Sequence, residues 1–199
     1  MIATIQTFLN QIAVSFDLPI LDWIQANMKC DFLDTVMPII TVLGDEGIFW
    51  IAWAVLLLLF PKTRKIGLGM GFAMIIGLLV CNVTLKPLIG RIRPYDFQLQ
   101  EFGVTIQLLT ERMHDFSFPS GHTIASFEAA TVLLKNSRKM GIPAMILAVL
   151  IAFSRMYLYV HYPTDVIFSV FAGILFAFIG DALAGLFKFK AAKKGKYEA

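Results

Sequence analysis

Apolar residues in this chain gather into long blocks and do not alternate with polar ones. Five stretches, 46–60, 66–85, 121–134, 142–159 and 166–187, are almost continuously apolar. A helix that crosses the hydrocarbon core of a bilayer needs roughly 20 such residues, whereas 10–14 suffice for a buried helix in water. Three blocks reach or approach the membrane length. The block at 46–60 is shorter, and the one at 121–134 carries Glu128. The pattern predicts an all-α, polytopic membrane helix bundle of five to six spans.

The N-terminal region reads differently. Ile2, Ile5, Phe8, Leu9, Ile12 and Phe16 recur at helical spacing with Gln6, Asn10 and Gln11 between them. That is the signature of an amphipathic helix lying in the membrane interface. Residues 32–43 are apolar over only half a span, so they either dip into the bilayer and return or pack beneath the other helices. A sixth span would come from residues before Asp31. No repeat, low-complexity stretch or linker divides the chain. It reads as one domain: an interfacial or re-entrant region at 1–45, core spans at 46–187 and a basic cytoplasmic tail at 188–199.

Composition supports the membrane reading. The 199 residues are 58% hydrophobic and 16% charged, against about 45–50% and 25% in soluble domains. A formal net charge of +3 is too small to suggest a nucleic-acid partner. Cys30 and Cys81 lie in unlike environments and in no metal-type spacing, so neither a disulfide nor a metal site is expected. The first 26 residues hold no Lys or Arg, unlike a signal peptide. The sequon at Asn82 falls inside a span and is read as chance.

The placement of charge orients the chain. Lys62, Arg64 and Lys65 lie between the first two blocks. Lys135, Arg138 and Lys139 lie between the third and fourth. Lys188, Lys190, Lys193, Lys194 and Lys196 follow the last. If the five spans alternate, all three clusters share one face, which the positive-inside rule makes cytoplasmic. The outer face then carries the 86–119 loop and the turn at 161–164.

Those outer segments hold three unusual clusters: KPLIGRIRP (86–94), PSGH (119–122) and SRMYLYVHYPTD (154–165). Lys86 and Arg93 are seven apart and share a face if the helix continues between them. Two fixed cations suit a phosphate dianion. Ser120 is a natural N-cap and Gly121 permits close backbone approach, so a helix starting here offers N–H groups to an anion. The Arg155 guanidinium matches phosphate oxygens. Pro163 suits the first position of a last helix. Asp165, four residues after His161, can fix the imidazole tautomer and leave the other nitrogen free to attack. Singly, basic residues at span ends usually snorkel to headgroups. Two histidines, an aspartate and three cations at one face are costly to bury unless they pair or bind something.

Together these residues match K-x6-RP, PSGH and SR-x5-H-x3-D, with no signature position departing. The chain therefore resembles the type-2 phosphatidate phosphatase superfamily from Lys86 to Asp165. The resemblance implies that His161 is the nucleophile, forming a phosphohistidine, and that Asp165 orients it. His122 would be the acid that protonates the leaving oxygen and then the base that activates water. Lys86, Arg93, Ser120, Gly121 and Arg155 would bind phosphate, with no metal and no other cofactor. Soluble acid phosphatases and vanadium haloperoxidases share the signature, but the spans argue against both. The short chain and outward site look more like small bacterial membrane phosphatases acting on undecaprenyl diphosphate or phosphatidylglycerol phosphate. The expected function is hydrolysis of a lipid phosphate or diphosphate, with undecaprenyl diphosphate first. The lipid would come from the bilayer, and the site would face outward from a bacterial cytoplasmic membrane. A lipid-headgroup phosphotransferase uses the same intermediate and stays open. A transporter or scaffold is disfavoured by the complete signature.

Other residues carry weaker expectations. Glu128 reads equally as a partner of the site or as an interhelical contact. Asp181 reads as structural. His114 and Asp115 are expected to be solvated loop residues, with lining of the site's entrance as the other reading. Trp23, Trp50, Trp53, Tyr157, Tyr159 and Tyr162 read as interface anchors.

Overall fold

The computed structural model describes residues 2–187, with the backbone alone at 2–4, and every regular element among them is helical. Helix α1 (Ile2–Ile12) continues through a π-helical turn at Ala13–Asp17 into α2 (Leu18–Asn27), so the N-terminal region is one long arm. Helix α3 (Asp31–Val42) leads into α4 (Ile48–Leu59) across a short break. Glu46 and Gly47 both take positive φ there, 51° and 66°. The pair bends by 41°, and together the two halves have the length and hydropathy of one span. The half-span at 32–43 thus continues into the first predicted block.

Helix α5 (Arg64–Gly77) runs through a π-helical stretch, Leu78–Leu85, into the single turn α6 (Lys86–Ile89). After Gly90 the chain turns into α7 (Pro94–Phe102). A long loop then reaches α8 (Gly121–Asn136), α9 (Arg138–Tyr157) and α10 (Pro163–Gly185).

Three helical stretches, Arg64–Phe102, Arg138–Tyr157 and Pro163–Gly185, are long and apolar enough to cross a bilayer, and the bent pair makes a fourth. The block at 121–134 falls outside this count. Helix α8 has only 16 residues, and most are buried, including Ser126, Glu128 and Thr131. It packs against α5, α9 and α10. A helix wrapped by protein need not be apolar all round, which is why its polar side chains are tolerated.

The outer faces show the opposite pattern. Ile142, Ile146 and Val149 on α9, and Phe168, Phe171, Leu175 and Phe178 on α10, are exposed at helical spacing. So large an apolar belt is stable against lipid tails and not against water. Because lipid offers no hydrophobic drive between helices, close contact needs small residues. A Cβ added at Gly180 would lie 2.6 Å from Gly69 O and from Ala73 N on α5.

The basic turns fall at one end of the bundle. Lys135 Nζ lies 2.7 Å from Asp181 Oδ2, and the Asn136 amide donates to Asp181 Oδ1 at 2.8 Å. Asp181 is structural, as expected. His122 and Lys135 sit at opposite ends of α8, about 20 Å apart by helical rise, so the basic turns and the signature residues occupy opposite ends. The basic tail lies outside the described residues.

The aromatic anchors are a correction. Trp23 is exposed, but Trp50 is buried and donates from Nε1 to Ser126 Oγ at 3.0 Å. Tyr157 and Tyr159 are buried as well, donating to Asp34 and Asp22 at 2.6 Å each. Tyr162 is also buried, under the Arg91 guanidinium at 3.7 Å. Acidic residues on the arm and on α3 give these hydroxyls partners inside the protein, and a lone hydropathy pattern cannot reveal that.

Candidate active site

The three signature segments converge at one end of a cavity of about 880 Å³. Lys86, Arg93, Gly121, His122, Arg155 and His161 all line it, together with Asp45 and Asp115. Its other end runs between α4 and α5 past Ala54, Val55, Leu58, Gly67, Gly71 and Met74. One cavity therefore joins a cationic head to an apolar trough.

Lys86 and Arg93 do not share a helix face, contrary to the sequence expectation. Gly90 takes φ +61° and ends α6, and Pro94 holds Arg93 in extended backbone. The two cations meet through the turn instead. Lys86 Nζ lies 2.5 Å from Asp115 Oδ2, and Arg93 Nη2 lies 2.5 Å from Asp115 Oδ1. Arg93 Nη1 also donates to Val160 O at 2.7 Å and lies 3.3 Å from His161 Nε2. Asp115 is thus solvent-exposed, yet it is tied to both cations and lines the cavity, so the entrance-lining reading holds for it.

His161 sits in a tight turn after α9, 1% exposed. Its Nδ1 lies 3.6 Å from Asp165 Oδ2, close but beyond a hydrogen bond, while Nε2 faces Arg93. Burial lowers its pKa well below the ordinary value, and the positive charges of Arg93, Arg155 and Lys86 lower it further. The ring is therefore neutral at physiological pH and holds a free lone pair.

Asp165 is the hub of a buried network. Its carboxylate accepts from Arg91 Nη1 at 2.5 Å, from the Tyr162 backbone N–H at 3.1 Å and from Ser117 Oγ. Arg91 in turn donates from Nη2 to Asp17 Oδ2 at 2.7 Å. Asp17 also accepts from the Thr164 N–H and hydroxyl at 2.9 and 2.7 Å. The N-terminal arm thus reaches Asp165 through Asp17 and Arg91. Sequence reasoning missed Asp17, Arg91 and Ser117. Arg91 stands inside KPLIGRIRP, where a second arginine beside the signature one was the available signal.

His122 opens α8, and its Nε2 lies 2.7 Å from Asp45 Oδ1. The carboxylate partner that local spacing did not supply arrives from 77 residues away. Gly44 makes room for the ring: a Cβ there would lie 2.7 Å from His122 Cδ2. Both histidines therefore have a carboxylate nearby. His161 is sealed, whereas the Asp45 side chain is 50% exposed.

Ser120 is the N-cap of α8 by backbone position, but its hydroxyl accepts from Thr123 Oγ1 at 3.0 Å and its N–H donates to Ser169 Oγ at 2.9 Å. It is fully buried and does not line the cavity. Gly121 does, with the Asn82 amide 3.3 Å from where a Cβ would stand. Arg155 is fully buried at the end of α9, with Nη1 on Thr41 Oγ1 at 2.5 Å and Nη2 on Met113 Sδ at 3.1 Å. Its Nε has no partner among the described residues. Glu128 lies buried against Gly77 and also borders the cavity.

A sealed neutral imidazole, a second histidine paired with a solvent-exposed carboxylate and a ring of cations suit transfer of a phosphoryl group. The comparisons agree. The model of the PAP2 superfamily matches residues 66–184, and the chain belongs to that superfamily. An undecaprenyl-diphosphatase of Sulfolobus acidocaldarius is 35% identical over 148 residues, covering 74% of this chain and 68% of that protein. The undecaprenyl-diphosphatase BcrC of Bacillus subtilis strain 168 is 31% identical, covering 74% and 72%. The crystal structure of a transmembrane PAP2-type phosphatidylglycerolphosphate phosphatase from Bacillus subtilis is similar at a TM-score of 0.65 and 25% identity, covering 96% and 98%. Family, membrane helices and cation-lined histidine site together define a membrane lipid phosphatase.

Proposed function

We propose that this enzyme hydrolyses the terminal phosphate of undecaprenyl diphosphate at the outer face of a bacterial cytoplasmic membrane, through a phosphohistidine on His161. The observation that carries the proposal is the cavity itself, with a histidine and cations at one end and an apolar trough at the other. A phosphate fits the first and a prenyl chain the second. The relatives named as undecaprenyl-diphosphatases support this choice of lipid.

In this reading Lys86, Arg93 and Arg155 hold the phosphate oxygens, helped by the backbone N–H groups at Gly121 and His122. His161 Nε2 attacks phosphorus. The P–N bond forms as the bond to the leaving phosphate oxygen breaks, and His122 gives that oxygen its proton. Arg91, Ser117 and the Tyr162 N–H hold Asp165 beside the opposite ring nitrogen, where its negative charge steadies the cationic phosphohistidine. Water then attacks phosphorus while His122 takes its proton, the P–N bond breaks to return the lone pair to His161, and inorganic phosphate leaves. Asp45 orients His122 for both steps. The exposed Asp45 carboxylate suits a group that exchanges protons with solvent.

The test is phosphate release by purified protein in detergent from undecaprenyl diphosphate, phosphatidylglycerol phosphate, phosphatidate and a soluble phosphomonoester. Undecaprenyl diphosphate should give the highest kcat/KM. A soluble ester equal to the lipids would overturn the lipid assignment. A preference for phosphatidylglycerol phosphate would keep the class and change the substrate, in line with the Bacillus subtilis structure. No phosphate release without an added alcohol acceptor would make the enzyme a phosphotransferase.

A further inference from the structure

Asp115 stands where the signature cations should meet phosphate. Its two oxygens lie 2.5 Å from Lys86 Nζ and 2.5 Å from Arg93 Nη2, and its backbone carbonyl accepts from Arg93 Nε at 3.0 Å. Two carboxylate oxygens span the two cations as two phosphate oxygens would. The pairing is lopsided in burial: the Lys86 side chain is 14% exposed, Arg93 2% and Asp115 52%. The cations are fixed and largely dehydrated, while the anion is held at the rim. Desolvated cations need a counter-ion when the site is unloaded. One half open to water is also one that can be pulled away and rehydrated cheaply.

We propose that Asp115 is a specificity-determining residue, an internal counter-ion that only a terminal phosphate dianion displaces. The proposal rests on the reading of this cavity as a lipid phosphatase site. A bilayer surface presents many phosphodiester headgroups for each terminal phosphate. Bare cations would bind either. With Asp115 in place, a phosphodiester exchanges one negative charge for another and gains nothing. A terminal phosphate brings a second charge and wins. Asp115 thereby screens out the surrounding lipid by charge, while the apolar trough accepts tails with little discrimination. Partial burial alone would raise its pKa, but the hydrogen bond from Lys86 and the charges of Arg93 and Lys86 hold it below the ordinary carboxylate range. It is therefore an anion throughout the working pH range.

The experiment compares wild type with Asp115→Asn and Asp115→Glu, as purified full-length protein in detergent at pH 8. Calorimetry measures binding of inorganic phosphate and of dimethyl phosphate, a diester monoanion, and turnover gives their inhibition constants. Wild type should bind phosphate and exclude dimethyl phosphate. In Asp115→Asn, phosphate should bind about tenfold tighter, as expected when a competing charge is removed. Dimethyl phosphate should become an inhibitor in that variant. Asp115→Glu should restore the wild-type selectivity. If Asp115→Asn keeps the wild-type ratio, or binds phosphate more weakly, the counter-ion role is wrong while the phosphatase reading stands. If wild type binds no phosphate, the site assignment itself fails. A melting curve for each variant checks that this exposed position leaves the fold intact.

Discussion

Asp17 lies far from the signature in sequence, yet its substitution should slow catalysis. Its carboxylate is fully buried and accepts three hydrogen bonds, from Arg91 at 2.7 Å and from the Thr164 N–H and hydroxyl at 2.9 and 2.7 Å. Arg91 has a second acidic partner, Asp165 at 2.5 Å. Asp17→Ala removes one anion from a triad in which every side chain is 2% exposed or less. Breaking a buried pair by deleting one partner costs about 3–5 kcal/mol. Here Asp165 keeps part of the compensation, so the lower end, about 3 kcal/mol, is expected. Asp165 is then the carboxylate left on Arg91, beside the Thr164 hydroxyl and the Tyr162 ring, and the first turn of α10 loses its bonds to Asp17. His161 Nδ1 lies 3.6 Å from Asp165 Oδ2, so displacement of the carboxylate should leave the proposed phosphohistidine less well steadied. We expect kcat to fall about 10–100-fold with little change in KM, because phosphate and tail contacts are untouched. Asp17→Asn keeps the shape and should fall between the two. The assay is turnover per folded protein, with folded protein counted by a melting curve in detergent. Wild-type kcat and melting temperature in Asp17→Ala would show that the arm is only a membrane anchor.

Asp45→Asn should leave phosphoenzyme formation intact with a good leaving group but slow turnover of the lipid about 10–100-fold, read by rapid quench. Equal loss with both substrates would mean that Asp45 does not act through His122. His161 is neutral in the fold because burial and then Arg93, Arg155 and Lys86 depress its pKa. As pH falls through about 6.5 the unfolded chain takes a proton that the folded chain refuses. Stability should therefore decline from pH 7 to pH 5, and His161→Asn should decline less. Identical melting profiles would refute the depressed pKa. In a Cys30→Ser background, a cysteine at exposed Gln100 should react with an impermeant maleimide on intact cells and one at exposed Arg138 should not. The reverse result would invert the proposed orientation.

Much of the site was legible because its chemistry is local in sequence. Lys86 and Arg93, Pro119 to His122, and Arg155, His161 and Asp165 each belong to a short segment, and six of the predicted site residues line one cavity. Apolar block length likewise predicted the membrane helices, since hydrocarbon demands continuous internal hydrogen bonding over a fixed thickness. What failed were inferences that extended a local rule past a break. Lys86 and Arg93 would share a helix face only if the helix continued, and left-handed Gly90 ends it between them. The carboxylate on His122, Asp45, lies 77 residues away and is outside the reach of any local spacing rule.

The sequence by itself determined the helical membrane class, the signature segments and the end of the bundle at which they gather. Those properties depend on residue type at short spacing. Only the tertiary structure decided which charges meet. Asp45 on His122, Asp115 across Lys86 and Arg93, and Asp17 through Arg91 to Asp165 join residues 77, 29, 22 and 74 positions apart. An ion pair is a property of distance, not of order along the chain. Burial also makes such pairs far stronger than the same charges in water. Packing α8 within the bundle, and folding the N-terminal arm onto the turn after α9, sets those distances.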